Sequence, residues 1–483
     1  MTLDLQTIKN TKTDILWFFR FKKLTPELYI ITNDAGKFHF FSDSDFHVFL
    51  SGEVENLPDY EELEKKGFIK NEAYQERMTG SIAMRNAHVW VWPTLHMMIT
   101  TLRCNHKCKY CHAAVAPMSA KEFDMTEDTA RKVVDAIFYT NSHSLTIEFQ
   151  WGESLVNYPV VQFVVDYARQ KAIHLEKRLS FSLVSNLTLM TEDKLERLLD
   201  RGVDICTSLD GDEVTHNHNR AGYEGNSFEK VTYWMKRVDE EKKKRNMWWV
   251  AALLTVTNET LKDYKKIIDT YRSLWLSGVF LRWLNPYGFA AADLKNLAYK
   301  KEDWINFYKK SLDYIIEMNK KWERFTEYMT SVYLQKIFSD RDPNFMDIRS
   351  PSGIAIGWVA YNYDGKVYAS DESRMLGRMG IDDFFMTELH ESWQDTYTAM
   401  IDNDVTKIAV LSSTLDGLPA YNDHVYKPYI GVDIIHNFKL TGSVYQPLVK
   451  DEKIQMQIAV LDYIFQKLRN PEDRKVLESW ISS

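Results

Sequence analysis

The sequence predicts an α/β fold in three parts, of which the central part is a parallel sheet with crossover helices. Between residues 95 and 287, six apolar, β-prone runs alternate with amphipathic helical segments. This succession of βα units indicates parallel strands with right-handed connections, in either an open doubly wound sheet or a barrel-like one. A short α+β pattern precedes this region, and a mixed pattern follows residue 300. We therefore expect domains at 1–87, 88–300 and 301–483.

The N-terminal part is predicted to be a small α+β domain followed by a linker. Residues 33–36, NDAG, separate two β-prone runs and have the composition of a hairpin turn. Ser42 is placed to cap a short helix, and a second short helix at residues 60–66 is expected to end at Gly67. The polar stretch at residues 70–87 is the expected linker.

In the central part, helix start signals follow the predicted strands. Thr126 is expected to cap the helix after the first strand, because two acidic residues follow it. Thr191 and Ser227 are the expected caps of two later helices, and Gly202 is expected to end the helix that begins after Thr191. In parallel α/β folds, functional groups gather at the carboxyl ends of the strands. A site is therefore expected in the segments that directly follow the strands.

Composition indicates a globular protein and excludes several classes. The 483 residues carry a net charge of −8, which argues against non-specific nucleic-acid binding, because such binding needs a basic surface. We find no signal peptide and no run of about 18 apolar residues, so we expect a cytoplasmic protein without a membrane span. Four cysteines do not make a disulfide framework in so long a chain. One of them, Cys206, lies in an apolar run, and we interpret it as a packing thiol.

The other three cysteines lie within eight residues, directly after the first predicted strand. Cys104, Cys108 and Cys111 have the spacing C-x3-C-x2-C. Three thiolates on one loop can bind three corners of an iron–sulfur cluster and leave one iron without a protein ligand. A zinc site completed by His106 and His112 is the alternative, although the spacing is poor for zinc-finger geometry.

The cysteine loop and the segments after it resemble the radical SAM superfamily. Tyr110 is an aromatic residue directly before the third cysteine, as in that family's motif. Gly152 and Glu153, in EFQWGESLVN, match the end of the family's Gly-Gly-Glu motif, and TSLDGDEVTHNHNR is similar to a segment of its peptide-modifying branch. The layout as a whole most resembles the maturases of the His-Xaa-Ser peptide system. This resemblance implies a partial (β/α)6 barrel.

The resemblance also implies two cofactors, namely one 4Fe–4S cluster on the three cysteines and S-adenosylmethionine. In this family, an external donor reduces the cluster, and S-adenosylmethionine is cleaved to a 5′-deoxyadenosyl radical that abstracts hydrogen from the substrate. By resemblance, Gly152 and Glu153 would hold the amino end of the methionine. Ser208 and Arg220 would reach the ribose and the carboxylate. Tyr110 would contact the adenine side.

The chain departs from its relatives in two places. Trp151 stands where the motif has its first glycine, so it must reshape that edge of the pocket, either by stacking on a ligand or by obstructing it. The C-terminal part lacks the cysteines that hold auxiliary clusters in relatives, and we expect a degenerate, cysteine-free SPASM-like domain. The positions where the resemblance would place cysteines are Ser352, Ser370, Tyr421, His424, Ile430 and Asp433. A metal site rebuilt from His424 and Asp433 is the alternative.

Asp371 follows one of these positions, in YASDES. Related sulfatase-maturing enzymes have an aspartate there that acts as the base for the radical intermediate, so the resemblance implies this role for Asp371. The alternative is an ordinary loop carboxylate.

The first ~70 residues resemble winged-helix-like elements that bind a leader peptide by strand addition. The leading prediction is therefore a radical SAM enzyme that modifies a ribosomally synthesised peptide or protein. Its expected partners are a precursor peptide, an electron donor and, since auxiliary cysteines are missing, a second maturase. One alternative is a weakly catalytic or non-catalytic relative that binds peptide or a second maturase, which Trp151 and the missing cysteines favour. The other is radical chemistry on a small molecule.

Overall fold

The N-terminal unit is a three-stranded antiparallel sheet with short helices, in a computed structural model that describes residues 14–90, 93–247, 249–321 and 323–481. The elements are β1 (Arg20–Thr25), β2 (Leu28–Thr32), β3 (Phe38–Ser42), α1 (Asp43–Ser51), α2 (Tyr60–Lys65) and α3 (Glu72–Arg85). A hydrophobic cluster of its own, with Phe46, Phe49 and Phe68 among its members, holds the sheet to α1 and α2. This unit therefore has a hydrophobic cluster of its own, while Ile30 and Phe38 on its sheet belong to the main core.

The predicted hairpin is confirmed. Strands β2 and β3 pair antiparallel, with Leu28 opposite Ser42 and Thr32 opposite Phe38. The side chain of Ser42 caps α1 by accepting a hydrogen bond from the Asp45 N–H. Strand β1 is not predicted, because its sequence RFKKLT has no apolar alternation, and it forms by pairing with β2 at the edge of the sheet.

The segment predicted as a linker, residues 70–87, contains the 14-residue helix α3. The side chain of Asn71 caps this helix. Along α3 only Ser81 is buried, so its sequence carries no apolar stripe from which a helix could be predicted. The last residue, Arg85, donates hydrogen bonds to the carbonyl oxygens of Lys336 and Ser339. Tertiary contacts thus hold this helix against the C-terminal part.

The central sheet has nine strands and confirms the predicted α/β class. Its order is β10-β8-β7-β6-β5-β4-β12-β13-β14, and the first seven strands in this order run parallel to one another. The last three strands come from the C-terminal part and are β12 (Trp358–Tyr361), β13 (Lys366–Tyr368) and β14 (Phe385–Glu388). The sheet is open, with β10 and β14 at its edges. The elements from β4 to β10 are β4 (Leu95–Met98), α4 (Glu127–Tyr139), β5 (Ser144–Phe149), α5 (Tyr158–His174), β6 (Arg178–Ser185), α6 (Glu192–Asp200), β7 (Val203–Ser208), α7 (Glu213–Asn219), α8 (Ser227–Lys244), β8 (Ala251–Thr255), α9 (Tyr264–Ser273), β9 (Gly278–Val279) and β10 (Leu281–Arg282).

Two of the three helix caps predicted for the central part are confirmed. Thr126 and Thr191 cap α4 and α6 with their side-chain oxygens. The prediction for α8 is wrong, because Asn226 is its cap and Ser227 is its first residue. The Ser227 hydroxyl is hydrogen bonded to the imidazole of His106 instead, at 2.9 Å. Both Asn226 and Ser227 are residue types that cap helices, and the buried hydrogen bond from Ser227 to His106 leaves the capping role to Asn226.

The C-terminal part extends the same sheet. Strand β12 pairs parallel with β4 and antiparallel with β13, and β13 pairs with β14. The elements of this part are α10 (Gly288–Ala292), α11 (Leu294–Leu297), α12 (Lys301–Lys320), β11 (Thr326–Glu327), α13 (Tyr328–Phe338), β12 (Trp358–Tyr361), β13 (Lys366–Tyr368), α14 (Asp371–Arg378), β14 (Phe385–Glu388), α15 (Trp393–Ile401), α16 (Asp404–Ser413), α17 (Pro419–Asn422), α18 (Ile434–Thr441), α19 (Glu452–Leu468) and α20 (Pro471–Ser479). The sheet and its main core are therefore continuous across residue 300. Within the described ranges, no helix is both long and apolar enough to cross a membrane.

Candidate functional site

The cysteine loop leaves the carboxyl end of β4 and brings its three thiols to one cavity. This cavity, the cysteine cavity below, is lined by residues that follow several strands, among them Cys104, Cys108, Cys111, Glu153, Ser208 and Arg220. Backbone hydrogen bonds shape the loop, from the Cys104 N–H to Ala116 and from the Cys111 N–H to the Cys108 carbonyl, both at 3.1 Å. The structure therefore brings together the residues that the sequence motifs single out.

The cysteines are half-buried, and hydrogen-bond donors lie around their thiols. Burial raises the pKa of all three, and that of Cys108 to about 12. The His106 N–H donates to Cys104 Sγ at 3.4 Å, and a guanidinium nitrogen of Arg220 lies 3.9 Å from Cys108 Sγ. Thiols of this kind lose their protons when they bind a metal, because the metal charge replaces the protons. Three thiols facing one cavity are a fitting ligand set for an iron–sulfur cluster with one open iron.

The zinc alternative receives no support from His106. Its two ring nitrogens are hydrogen bonded to Ser227 Oγ at 2.9 Å and to the Asn186 amide at 3.1 Å. Its ring also stacks on Tyr223, with the ring centroids 4.9 Å apart. The described residues contain no group of three or more His, Cys, Asp or Glu side chains arranged around a single metal ion. In this structure, His106 supports the loop that carries the thiols.

The segment after β5 packs directly against the cysteine loop. Gly152 has a φ of +63°, and a Cβ atom there would lie 2.2 Å from the carbonyl oxygen of Thr101. The next N–H, of Glu153, donates to the carbonyl oxygen of Arg103 at 2.8 Å. Only glycine fits this close approach without displacing the backbone of the cysteine loop.

Glu153 is a buried carboxylate with capacity for one more donor. It is 1% exposed and accepts hydrogen bonds from Leu155 N–H at 3.0 Å, Ser185 Oγ at 2.8 Å and Asn186 N–H at 2.8 Å. Burial raises its pKa, although these three donors oppose the shift. A carboxylate has about four acceptor sites, so one remains for a donor in the cavity. Sequence reasoning missed Ser185 and Asn186, although they stand at the end of the third predicted strand, LSFSLVSN.

Trp151 forms part of the cavity wall with a strained backbone. Its φ is +69°, a region that disfavours every residue except glycine by about 1–2 kcal/mol. The indole ring lies 6.2 Å from the ring of His112. In the orientation of the Gln150 amide that satisfies both of its polar atoms, the amide oxygen accepts a hydrogen bond from Trp151 Nε1 at 3.0 Å. The amide nitrogen donates to the Glu148 carboxylate at 2.9 Å. These side-chain contacts hold the tryptophan in the cavity wall despite its strained backbone.

Tyr110 and Arg220 meet at a third residue that the sequence interpretation did not single out. The Tyr110 hydroxyl donates to the Asp210 carboxylate at 2.7 Å, and Arg220 Nε donates to the same carboxylate at 3.0 Å. Burial by itself would lower the Arg220 pKa, but the charge and hydrogen bond of Asp210, together with Tyr110 and Cys108, outweigh burial and raise it. Asp210 is the aspartate of the TSLDG stretch, directly beyond Ser208 and Leu209. Arg220 is therefore held by an internal pair, with one nitrogen toward Cys108.

Ser208 and Asp371 reach the cysteine cavity from opposite parts of the chain. Ser208 is the last residue of β7, and Asp371 is the first residue of α14, after a capping box formed by Ser370 and Ser373. Beside Asp371 lies Glu372, whose pKa is raised well above its usual value by burial and then by the charge of Asp371. Asp371 is thus a buried carboxyl at the cavity, and its charge helps to raise the pKa of the neighbouring Glu372.

The positions where the resemblance would place cysteines have structural roles in this chain. The backbone N–H of Ser352 donates to Ser413 Oγ at 2.9 Å, and the Tyr421 hydroxyl donates to the carbonyl oxygen of Gln446 at 2.8 Å. Asp433 caps α18 and forms an ion pair with Lys453. The remaining three are Ser370, the cap of α14, His424, whose ring accepts the Tyr426 N–H, and the buried Ile430. Each position serves packing or hydrogen bonding.

Cys206 does not have the predicted position in the core. Strand β7 alternates, with Val203, Ile205 and Thr207 buried, whereas Cys206 and Ser208 share the half-buried face. Because side chains along a strand alternate between faces, the Cys206 thiol is directed to the side of the sheet on which Ser208 meets the cavity. The apolar run around Cys206 hid this alternation.

Two curated proteins are similar in sequence. The radical SAM cyclopropyl synthase TigE of Paramaledivibacter caminithermalis is 23% identical over 318 residues, which cover 61% of this chain and 64% of TigE. An uncharacterised protein of Methanocaldococcus jannaschii is 27% identical over 120 residues, which cover 25% of this chain and 40% of that protein. The chain thus spans less than two thirds of the length of either relative.

Solved structures with the same fold include native anSMEcpe with bound AdoMet. The TM-score is 0.63 at 17% identity, and the match covers 79% of this chain and 100% of anSMEcpe. Native anSMEcpe with bound AdoMet and the Cp18Cys peptide gives a TM-score of 0.61 at 18% identity, with 79% and 100% coverage. At these identities the likeness shows the fold, an α/β structure with an open sheet that is mainly parallel.

The family comparison covers the part of the chain that contains most of the site. Residues 98–271 match the radical SAM superfamily. This range runs from the end of β4 into α9 and includes the cysteine loop, Gly152, Glu153 and the Asp210–Arg220 pair. Residues 98–271 of this chain are a radical SAM domain.

Proposed function

We propose that this protein is a radical SAM enzyme that binds one 4Fe–4S cluster and S-adenosylmethionine and modifies a ribosomally synthesised peptide or protein. One observation carries the proposal: the thiols of Cys104, Cys108 and Cys111 share a cavity with Glu153 after β5 and Ser208 at the end of β7. When bound, the reduced cluster supplies the electron that cleaves S-adenosylmethionine to a 5′-deoxyadenosyl radical.

The protein's own residues would bind and orient the two cofactors. The three thiols would hold three irons, while Glu153 has a free acceptor site for the ammonium group of the methionine. Ser208 and Arg220 line the same cavity and are the proposed contacts for the ribose and the carboxylate. Tyr110 and Arg220 both donate hydrogen bonds to the buried Asp210 carboxylate, so we propose that Asp210 sets the orientation of both side chains. Tyr110 would then lie near the adenine.

The peptide substrate is proposed on two grounds. The N-terminal unit offers a three-stranded sheet with its own core, a suitable base for adding an extended peptide strand. A structure with the same fold, that of anSMEcpe, contains a bound peptide. Asp371 is the proposed base for the substrate, because it is a buried carboxyl that lines the cavity.

The chain has ligands for a single cluster, since no cysteine follows Cys206. Without a second cluster to accept an electron, net redox-neutral chemistry, an external acceptor or a second maturase would complete the reaction. Trp151 in the cavity wall favours a second candidate function, that of a weakly catalytic partner that binds peptide or another maturase.

Anaerobic reconstitution tests the proposal and separates the two candidates. The expected content is about four irons and four sulfides per chain, with one paramagnetic signal that shifts when S-adenosylmethionine is added. The enzyme should release 5′-deoxyadenosine, whereas a non-catalytic partner would bind the cluster without doing so. About eight irons, with a second signal insensitive to S-adenosylmethionine, would contradict the single-cluster proposal.

A further inference from the structure

A second cavity lies between the N-terminal unit and the C-terminal part, and it shares no lining residue with the cysteine cavity. We call it the basic cleft. Its lysine and arginine lining residues are Arg85, Lys336, Arg341, Arg349 and Lys427. Its acidic lining residues are Asp34, Asp342 and Asp416. The cleft is formed by the turn between β2 and β3, the end of α3, the end of α13 and two loops of the C-terminal part.

The acidic residues of the basic cleft are all engaged in ion pairs. Asp342 accepts from the Arg349 guanidinium at 2.6 and 2.9 Å. Lys427 lies 3.0 Å from Asp34 and 2.6 Å from Asp416. Arg349 and Lys427 are thereby neutralised, and the excess charge of the cleft comes from the remaining three basic residues.

These three residues have no carboxylate partner in the described part of the chain. Lys336 is 7% exposed, and its ammonium group donates to the carbonyl oxygen of Ile348. Arg85 donates to two backbone carbonyl oxygens, and its buried Nε atom has no hydrogen-bond partner. The exposed Arg341 side chain forms no hydrogen bond or ion pair with any described residue.

Charge without a counter-ion is costly at a buried position. The pKa of Lys336 is lowered to about 7, mainly by burial and also by the charges of Arg85 and Arg349, against the opposing charge of Asp342. Burial also lowers the pKa of Arg85. An anion placed between these cations would relieve the same cost for both, and arginine fits a carboxylate with two parallel hydrogen bonds.

We propose that the basic cleft binds a carboxylate of the peptide substrate, through Arg85, Lys336 and Arg341. The carboxylate belongs either to an acidic side chain or to a peptide C-terminus. That the ligand is a peptide rests on the proposed function, whereas the carboxylate preference rests on the charges of the cleft. The N-terminal unit, which is the proposed peptide-binding unit, lines the cleft with Asp34 in the turn between β2 and β3 and with Arg85 at the end of α3.

Calorimetry with the full-length, cluster-loaded protein tests the proposal with four probes. They are acetyl-Gly-Glu-Gly-amide, acetyl-Gly-Gly-Gly with a free C-terminus, the neutral acetyl-Gly-Gln-Gly-amide, and inorganic phosphate. One carboxylate peptide should bind at least about tenfold more tightly than the neutral peptide, which corresponds to a charge-assisted hydrogen bond. Which of the two binds identifies the source of the carboxylate. Equal affinities for all three peptides, or a preference for phosphate over both carboxylate peptides, would overturn the proposal that the basic cleft binds a carboxylate.

Variants locate the binding. Arg341→Gln should weaken binding of the carboxylate probe about tenfold, because one charge-assisted hydrogen bond to the carboxylate is lost. The variant should fold normally, since Arg341 is exposed. Arg324→Gln is the matched control, since Arg324 is also exposed but does not line the cleft. Arg341→Gln with wild-type affinity would overturn the proposal.

Proton uptake gives a readout that a purely structural role would not produce. At pH 7, carboxylate binding should be accompanied by uptake of up to about half a proton by Lys336, measured by calorimetry in two buffers of different ionisation enthalpy. Lys336→Met should abolish that uptake, and binding without uptake in the unaltered protein would contradict the role of Lys336.

The same titration in a protein with Cys104, Cys108 and Cys111 all changed to alanine separates this proposal from the proposed function. Carboxylate binding should persist there, because the two cavities share no lining residue. If the unaltered, reconstituted protein bound the carboxylate but cleaved no S-adenosylmethionine, the proposed function would be disproved and the cleft proposal would stand. Cleavage of S-adenosylmethionine without carboxylate binding would disprove the cleft proposal alone.

Discussion

The cysteine cavity and the basic cleft differ in how their charges are balanced. In the cysteine cavity, Arg220 is paired with Asp210, and Glu153 accepts three hydrogen bonds from the protein. In the basic cleft, Lys336 and Arg85 have only backbone carbonyl oxygens as partners. The first cavity is therefore organised by the protein itself around its thiols. In the second, these cations have no carboxylate partner among the described residues, and our proposal is that a ligand supplies one.

The two cavities also differ in where their residues lie along the chain. The residues of the cysteine cavity follow β4, β5 and β7, where parallel strands bring consecutive loops together. Arg85 and Lys336 are about 250 residues apart and meet only because α3 packs against the end of α13. Short motifs can thus reveal the first cavity but not the second. Four predictions test this comparison.

The largest effect is expected when the three cysteines, Cys104, Cys108 and Cys111, are all replaced with alanine. The cluster should be lost entirely, since only one cysteine remains in the sequence, and with it the absorbance at roughly 400 nm and about four irons per chain. Iron analysis and the absorption spectrum measure the loss. Cys206→Ala is the matched control and should keep the cluster. Iron retained in the triple variant would refute the ligand assignment.

Asp210→Asn should lower the free energy of unfolding by about 3–5 kcal/mol, because it leaves the buried Arg220 charge unpaired. Asp193→Asn is a matched control, since it removes an exposed pair with Arg197 and should cost only about 0.3–0.5 kcal/mol. Urea denaturation at equal cluster content measures both. Similar losses for the two variants would contradict the view that the cysteine cavity depends on an internal charge pair.

Glu153→Gln should weaken S-adenosylmethionine binding by about 1.5–3 kcal/mol, because a charge-assisted hydrogen bond to the ammonium group is lost. Calorimetry of the reconstituted protein measures the change, and the iron content should stay the same. Ser185→Ala is the control, since it removes a donor to Glu153 while the carboxylate charge remains. Unchanged affinity in Glu153→Gln would place Glu153 outside the ligand site.

The smallest effect near neutral pH concerns Lys336 in the basic cleft. The pKa of Lys336 is about 10.5 in the unfolded chain, and burial lowers it to about 7 in the folded chain. Between these values unfolding takes up a proton, so the free energy of unfolding rises with pH, by at most about 1.4 kcal/mol per unit. Lys336→Met should remove this contribution. The charges that face Lys336 are Asp342, Arg85 and Arg349.

Urea denaturation of both proteins between pH 7 and 9 gives the difference in slope, which cancels the other titrating groups. A saturating carboxylate probe should flatten the slope in the unaltered protein, because the bound anion keeps Lys336 charged. Identical slopes for Lys336→Met and the unaltered protein would remove Lys336 from the basic cleft.

Much of the fold follows from local pattern. The hairpin at residues 33–36 and the caps at Ser42, Thr126 and Thr191 all form as predicted, because each depends on residues within one turn or one helix end. Helix α3 and strand β1 were not predicted, since packing or pairing with distant segments stabilises them. The choice of Asn226 over Ser227 as a cap likewise depends on a tertiary contact, the bond from Ser227 to His106.

The sequence by itself determined the cysteine triplet, the Gly152-Glu153 motif and the parallel βα order, because these are written in spacing and periodicity. The tertiary structure alone decided that Asp210 joins Tyr110 to Arg220 and that Cys206 shares a face with Ser208. It alone collected the unpaired cations of the basic cleft from distant segments. Electrostatic energy depends on distance and burial in space, so a chain reveals which charges it carries and only the fold reveals which of them have partners.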